Sequence, residues 1–133
     1  MPADLVIFPP HATARRDPAR HLHPAALPHW RALLETRWQE HQAKASEYGG
    51  SCRAARCDAG QAESARGREA SLWRESVMWH RAVAQWRALA EIEAALSRLA
   101  AGRFGWCQDC GAAIAAPVLA QIPQTRYCPA CDQ

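Results

Sequence analysis

Four cysteines near the carboxyl end constrain this sequence more than any other feature. They form two C-x2-C pairs separated by seventeen residues, Cys107 with Cys110 and Cys128 with Cys131. Each pair can place two sulfurs on one ion from a tight turn, and two pairs complete a tetrahedral four-thiolate site. Such a site leaves no position open for water or substrate, so we expect one structural zinc ion (Zn2+). Free dithiols and iron–sulfur ligation are the alternatives, and the spacing disfavours iron–sulfur ligation.

The composition is that of a folded protein outside the secretory pathway. Of its 133 residues, 49% are hydrophobic, and 16 basic against 13 acidic side chains give a formal charge of only +3. The apolar run Leu5–Phe8 is too short for a signal sequence, and no run approaches the ~18 residues of a membrane span. We therefore expect a cytoplasmic protein without a membrane partner, in which cysteines serve metal binding rather than disulfides.

The first part of the chain shows no apolar period. Prolines interrupt it repeatedly, and we interpret residues 1–24 as a flexible N-terminal arm. Its histidines offer a weaker alternative, a second metal site, against the simpler interpretation of a solvated tail; they are His11, His21 and His23.

Two segments have helical periodicity. The first covers residues 28–48, and its apolar stripe is Trp30, Leu34, Trp38, His41, Ala45 and Tyr48. Gly49-Gly50 predicts its end, because glycines commonly follow helix C-termini. The second covers residues 69–101, and its stripe begins with Leu72, Ser76, Trp79, Val83, Trp86 and Ala90. We expect these tryptophans to fill a core rather than to stack on bases, and His41 to make an interhelical hydrogen bond.

Two amphipathic helices joined by a polar segment predict an antiparallel hairpin. The predicted fold is therefore mostly α, a long helical hairpin or coiled coil followed by a small four-cysteine zinc finger. The predicted organisation is an arm at 1–24, a hairpin at 25–102 with a tip loop at about 49–68, and the finger at 103–133.

The residues around the cysteines resemble a known family. Gly105-Trp106-Cys107-Gln108-Asp109-Cys110-Gly111 and Cys128-Pro129-Ala130-Cys131, with the helical run-in Ile92, Leu96 and Leu99, are similar to the zinc finger of the DksA/TraR family. The resemblance covers about residues 85–131. It implies a bacterial transcription regulator that binds RNA polymerase rather than DNA. In the family, a coiled coil enters the secondary channel of the polymerase, and its tip approaches the catalytic magnesium.

This sequence departs from the family pattern at two places. At the tip, Ser64, Gly67 and Glu69 occupy the positions of the family's Asp-x-x-Asp-x-Ala motif, and the nearest acids are Asp58 and Glu63. We take these two acids as candidate partner-binding residues, with solvated loop acids as the alternative. The positions of the family's guanosine tetraphosphate site hold residues that do not suit a polyphosphate, so we expect no response of this protein to the nucleotide at that site. These residues are Ala84, Glu91, Ile122 and Asp132.

Cys52 and Cys57 fall in the predicted tip, beside Arg53 and Arg56. Nearby arginines lower a thiol pKa, so a redox role is a candidate, and two unreactive free thiols are the alternative. No catalytic motif is present, and we expect no enzyme. The alternatives to a polymerase-binding regulator are a zinc-stabilised hairpin that binds another protein, and a nucleic-acid module that uses Arg15, Arg16, Arg20 and the tip arginines.

Overall fold

The computed structural model describes residues 20–132, and two long helices dominate this part of the chain. They are α1, Leu27–Gln61, and α2, Ala65–Ala100, and a short helix α3, Ala116–Gln121, follows among the cysteines. Two 3-10 turns, Arg20–Leu22 and Pro24–Ala26, precede α1. Between residues 20 and 132, strand-like pairing is limited to one bridge between Trp106 and Ala113. The predicted mostly α hairpin fold is confirmed. None of the described helices combines the length and hydropathy needed to span a bilayer.

The connection between the two helices is much shorter than the predicted tip loop at 49–68, and that prediction is wrong. Helix α1 continues through Gly49 and Gly50 to Gln61, and three residues, 62–64, lead to α2. Burial of Ala55 and Ala59, which are 5% and 6% exposed, favours continuing the helix. That burial and the surrounding helix-forming residues outweigh a cost of about 1 kcal/mol for each glycine. Ser64 caps α2, since its Oγ accepts a hydrogen bond from the Gly67 N–H at 3.0 Å.

The described chain divides into two compact units. One is the helix–turn–helix Arg37–Ala90, and the other combines the residues up to Thr36 with those from Glu91 onward. The predicted boundary at residue 102 therefore does not separate the units. The reason is that the base of each helix shares a core with the finger.

The helices of Arg37–Ala90 are antiparallel. His41 Nδ1 lies 2.6 Å from Gln85 Oε1, which is the interhelical hydrogen bond expected of His41. Further along, Cys52 Sγ donates to the Glu75 carbonyl at 3.6 Å, and Arg56 Nε donates to Glu75 Oε1 at 2.7 Å. The stripe predicted for α1 is confirmed by the burial of Trp30, Leu34 and Ala45 and continues through Ala55 and Ala59.

The buried stripe of α2 lies one residue earlier than predicted. Its seam contains Ser71 and Ala82, which are 4% and 0% exposed, whereas Leu72, Trp79 and Trp86 are 49%, 51% and 45% exposed. The expectation that Trp79 and Trp86 fill the hairpin core is therefore wrong. Both stripes have the same spacing of three and four residues, so periodicity alone does not separate them. The alanines and serine of the seam let the helices approach closely, and indole rings would hold them apart.

The second unit has its core where both helix bases meet the finger. Trp30, Leu34, Ile92, Leu99 and Phe104 are all at most 5% exposed, and the ring centres of Trp30 and Phe104 lie 6.0 Å apart. Burial of such side chains contributes about 1.5–3 kcal/mol each relative to exposure.

The last residues of the predicted flexible arm belong to this unit. His21 Nε2 lies 2.7 Å from the Ile114 carbonyl oxygen, and Trp30 Nε1 donates to the His21 carbonyl at 2.8 Å. These long-range contacts hold residues 21–24 in place, so the predicted arm does not extend to residue 24. Residues 1–19, and His11 with them, lie outside the described residues.

Candidate zinc centre and hairpin tip

The first cysteine pair lies in a tight turn closed by backbone hydrogen bonds. The Gly111 N–H donates to the Cys107 carbonyl at 2.9 Å, and the Cys107 N–H donates to the Ala112 carbonyl at 2.8 Å. Gly111 has a φ of 73°, a left-handed conformation that glycine adopts without a steric penalty. The turn therefore places Cys107 and Cys110 on the same side of the loop.

The second pair forms a similar turn. The N–H groups of Cys131 and Asp132 both donate to the Cys128 carbonyl, at 2.9 and 3.0 Å. A hydrogen bond from the Gln108 N–H to the Arg126 carbonyl, 2.9 Å long, ties the segment before Cys128 to the first turn.

The structure brings all four sulfurs of the cysteine pairs together. They lie within 4.8 Å of one another, and Cys110 Sγ is 3.7 Å from Cys128 Sγ. A tetrahedral site with zinc–sulfur bonds of about 2.3 Å has sulfurs about 3.8 Å apart, so the donor set and its spacing fit zinc. In residues 20–132 these cysteines form the one group of three or more side chains able to hold a metal ion.

The predicted alternative of a histidine metal site is not formed in the described part of the chain. His23 Nδ1 accepts a hydrogen bond from the Ala25 N–H at 3.2 Å and caps a short turn. His21 contacts the Ile114 carbonyl, as described above.

The electrostatics of the four cysteines call for a cation. Burial disfavours the Cys107 thiolate, but hydrogen bonds from the backbone N–H groups of Cys110, Cys128 and Asp109 outweigh it and lower the Cys107 pKa to about 6. Burial raises the pKa of Cys110 and of Cys131, and for Cys131 hydrogen bonding to Cys128 raises it further. Four thiolates this close repel one another, and a divalent cation supplies the charge that lets all of them ionise.

Two arginines connect α2 to the segment between the cysteine pairs. Arg126 donates from Nε and Nη2 to both carboxylate oxygens of Glu91, at 2.6 and 3.2 Å. Arg98 is 5% exposed, and its Nη2 donates to the carbonyls of Gln124 and Thr125 at 3.3 and 3.4 Å. Neither arginine was predictable from the sequence, because neither is part of a motif. Glu91 stands at a position of the expected guanosine tetraphosphate site, and its carboxylate is already paired with Arg126.

The two tip acids have different surroundings. Asp58 Oδ2 lies 3.5 Å from Arg74 Nη2, in a pair whose side chains are 60% and 54% exposed. Glu63 is exposed in the turn between the helices, and no ion pair of Glu63 is found among the described residues. The structure therefore leaves the Glu63 charge at the end of the hairpin uncompensated.

The tip cysteines lie on α1 rather than in a loop. Cys52 is half-buried and Cys57 is exposed. Five residues along a helix advance about 7.5 Å, and a disulfide requires Cα atoms closer than about 7 Å, so bridging them would require local unwinding of α1. The structure therefore gives no support to a direct Cys52–Cys57 redox pair.

These features define a class of protein, one that combines a helical hairpin with a C4-type zinc finger. Comparisons with known proteins show what this chain is similar to. Residues 102–133 match the family model described as the prokaryotic dksA/traR C4-type zinc finger. The structure of transcription factor DksA2 from Pseudomonas aeruginosa is similar at a TM-score of 0.71 and 25% identity, over 85% of each chain. The predicted resemblance to the DksA/TraR family and the prediction of one structural zinc are thereby confirmed.

A curated relative matches a shorter stretch. An uncharacterized protein of Aquifex aeolicus (strain VF5) is 46% identical over 43 residues, which are 32% of this chain and 30% of that protein. The chain thus spans less than a third of the length of this relative.

Proposed function

We propose that this protein is a DksA/TraR-like transcription regulator that binds RNA polymerase through its secondary channel. The observation that carries the proposal is the combination of a family zinc finger with a fold similar to that of transcription factor DksA2 over 85% of the chain. In this proposal the protein is not an enzyme. It acts in the bacterial cytoplasm by inserting its hairpin.

In the proposed mechanism the zinc supports the hairpin and takes no part in chemistry. Cys107, Cys110, Cys128 and Cys131 are the proposed ligands, and four thiolates leave no open coordination position. From Arg37 the first helix rises about 37 Å to its end at Gln61, which gives the hairpin its reach.

Glu63 is the proposed tip residue that acts nearest the catalytic magnesium of the polymerase. It lies in the turn itself, whereas the charge of Asp58 is shared with Arg74. A carboxylate approaching a metal-bound active site can alter the local field or replace a ligand water. Asp58 is proposed as a supporting acid.

The first test is binding of the zinc-loaded chain to purified bacterial RNA polymerase, in competition with a known secondary-channel factor. We expect mutual displacement. Binding without competition would instead support a different contact on the polymerase. No binding at micromolar concentration would contradict the proposal and favour another protein partner for the hairpin.

The second test separates binding from the effect on transcription. The variant Asp58→Ala/Glu63→Ala should bind polymerase but lose its effect on transcription in vitro, and Glu63→Ala alone should lose most of it. Glu47→Ala, an exposed acid of α1 away from the turn, is the matched control and should behave as wild type. Normal regulation by the double variant would refute the tip-acid mechanism.

We also propose that guanosine tetraphosphate does not act at the family site. Glu91 there is paired with Arg126, and a second anion would have to compete with that carboxylate. Calorimetric titration with the nucleotide should show no binding, and transcription assays should show no change on its addition. Saturable binding that Glu91→Gln strengthens would show that the site is retained.

The nucleic-acid alternative has less support. Arg56, one of the tip arginines, is engaged with Glu75, and Arg74 of α2 is engaged with Asp58. If the protein bound DNA through its arginines, affinity would fall steeply with salt. We expect no shift of DNA even at low salt.

A further inference from the structure

The most exposed apolar side chains of the hairpin lie on α2, three of them on one face and Trp73 on its flank, about 100° around the helix from Leu72. They are Leu72, Trp73, Trp79 and Trp86, which are 49%, 70%, 51% and 45% exposed. Leu72, Trp79 and Trp86 are spaced by seven residues, and the rings of Trp79 and Trp86 meet edge to face with centres 5.4 Å apart. We call these four side chains the aromatic face.

The large side chains of this hairpin lie outside its own seam. The seam holds small residues such as Ala45, Ala55, Ser71 and Ala82, while the aromatic face is left in water. A seven-residue apolar repeat is the pattern by which one helix packs along another. Contiguous exposed apolar patches are uncommon on monomers and mark interaction surfaces.

A groove beside the aromatic face is shaped to receive bulky side chains. It has a volume of about 560 Å³ and runs between Leu72, Trp79 and Trp86 of α2 and Gly49 and Arg53 of α1. Glycine inside a helix is costly, and a Cβ at Gly49 would meet only Arg53 Nη1, at 3.7 Å. Packing within the hairpin therefore does not require this glycine. Because Gly49 has no side chain, the groove is deeper at this position.

We propose that the aromatic face binds the same face of a second copy of this chain, with the two α2 helices antiparallel about a twofold axis at Trp79. The equal spacing of the repeat makes the face self-complementary. Trp79 meets Trp79 of the second copy, and Leu72 meets Trp86. With the α1 helices flanking them, the two hairpins form a four-helix bundle.

Charge complementarity selects the antiparallel arrangement. Glu69 and Arg87 lie on the same flank of the repeat, near its opposite ends, and neither makes an ion pair among the described residues. Antiparallel packing places Glu69 of one copy opposite Arg87 of the other. It also sets Trp73 beside Val83 and Arg87, where the indole can stack on the guanidinium. In a parallel pair the same flank of each helix lies on opposite sides of the interface, so Glu69 and Arg87 would not meet.

The area of the aromatic face is sufficient for a dimer of moderate affinity. An aromatic side chain buries roughly 150–250 Å² when covered completely, and these side chains are about half exposed, so the eight of them contribute on the order of 800 Å². The flanking residues bring the total near the roughly 1,200 Å² of the smallest stable interfaces. A dissociation constant in the micromolar range is expected.

Sedimentation of the zinc-loaded full chain tests the proposal. Between about 1 and 100 µM the wild type should shift from monomer to dimer, and Trp79→Glu should weaken the dimer by about a hundredfold or more. Ala54→Glu adds the same charge to an exposed position on the far side of α1 and should leave the dimer unchanged. Circular dichroism and zinc content verify that both variants are folded.

The orientation has its own test in charge exchange. Glu69→Arg and Arg87→Glu should each weaken the dimer several-fold, and the double exchange should restore it, because opposite charges face each other again. Restoration supports the antiparallel register, and additive losses overturn it. A wild type that remains monomeric at about 100 µM overturns the proposal, as does a dimer that survives Trp79→Glu.

Discussion

At Gly105, both the backbone conformation and the packing of neighbouring side chains disfavour any residue other than glycine. Its φ is 84°, and a Cβ built there would overlap Leu22 Cδ2. Gly102 has a similar φ of 74°, but nothing lies within 4 Å of its added Cβ. Comparing alanine substitutions at the two glycines therefore distinguishes the cost of a left-handed backbone from the cost of a steric clash.

We predict that Gly105→Ala lowers the free energy of unfolding by about 2–4 kcal/mol, since it combines backbone strain with overpacking. Gly102→Ala should cost only about 1–2 kcal/mol, the backbone term alone. Urea unfolding of the zinc-loaded variants measures the difference. Equal losses would show that Leu22 moves aside at little cost.

The Glu91–Arg126 pair provides a second prediction at the scale of single residues. Hydrogen bonding to Arg126 lowers the Glu91 pKa despite partial burial, and the side chains are 44% and 36% exposed. Solvent screening at that exposure limits the pair to about 0.5–1 kcal/mol. A double-mutant cycle with Glu91→Gln and Arg126→Ala at neutral pH should give this coupling, and the looser pair Asp58–Arg74 should give a coupling near zero. A larger value for Asp58–Arg74 would contradict the assignment.

At the scale of elements, the glycine pair within α1 shows that tertiary packing can override the low helix propensity of glycine. Gly49 and Gly50 predict a helix end, yet α1 continues through them. Added Cβ atoms would have only ordinary contacts, 3.7 and 3.8 Å from Arg53. We predict that Gly49→Ala and Gly50→Ala each stabilise the hairpin by about 0.5–1 kcal/mol. Thermal unfolding of dilute protein measures this, and a loss of stability would mean that α1 is distorted there.

The finger is the element that depends on zinc. Metal removal should unfold the segment around the cysteine pairs, because its few apolar side chains cannot fold it alone. We predict that Cys107→Ser lowers zinc content and abolishes the near-ultraviolet dichroism of Phe104 and Trp30, while most far-ultraviolet helical signal remains. Cys57→Ser, at an exposed cysteine of α1, is the control and should retain the metal. Full zinc retention by Cys107→Ser would remove Cys107 from the ligand set.

The elements differ in how far the sequence could predict them. The finger was predictable because a single chemical requirement, four thiolates on one ion, fixes the spacing of its residues. The seam of α2 was not, because two adjacent stripes have the same period and the larger side chains suggested the wrong one. The choice between them depends on the small side chains of α1, such as Ala45 and Ala55, which no local pattern in α2 contains.

The tip also shows that contacts between distant residues could not be predicted from the sequence. Asp58 and Glu63 were predictable as the nearest acids, but their unequal surroundings follow from the position of Arg74 on the opposite helix. Likewise, the partnership of Glu91 with Arg126 joins residues 35 positions apart. Such pairs depend on the packed structure and leave no trace in local sequence.

At the scale of the molecule, the unit that contains the finger joins distant parts of the chain. Trp30 contacts Phe104 at 6.0 Å between ring centres, and His21 reaches Ile114, 93 residues away. This unit is therefore completed only by its last residues, whereas the contacts of Arg37–Ala90 are closed by the turn at 62–64.

That arrangement has a consequence for biosynthesis. A ribosome adding about 5–20 residues per second needs roughly 4–15 s to pass from Trp30 to Phe104, and during this time the indole lacks its final cover. The Arg37–Ala90 hairpin can form as it emerges, but Trp30 and Leu34 wait for the finger and its metal. A nascent chain interrupted before Cys107 therefore presents an apolar helix base, with Trp30 and Leu34 uncovered, to chaperones and proteases.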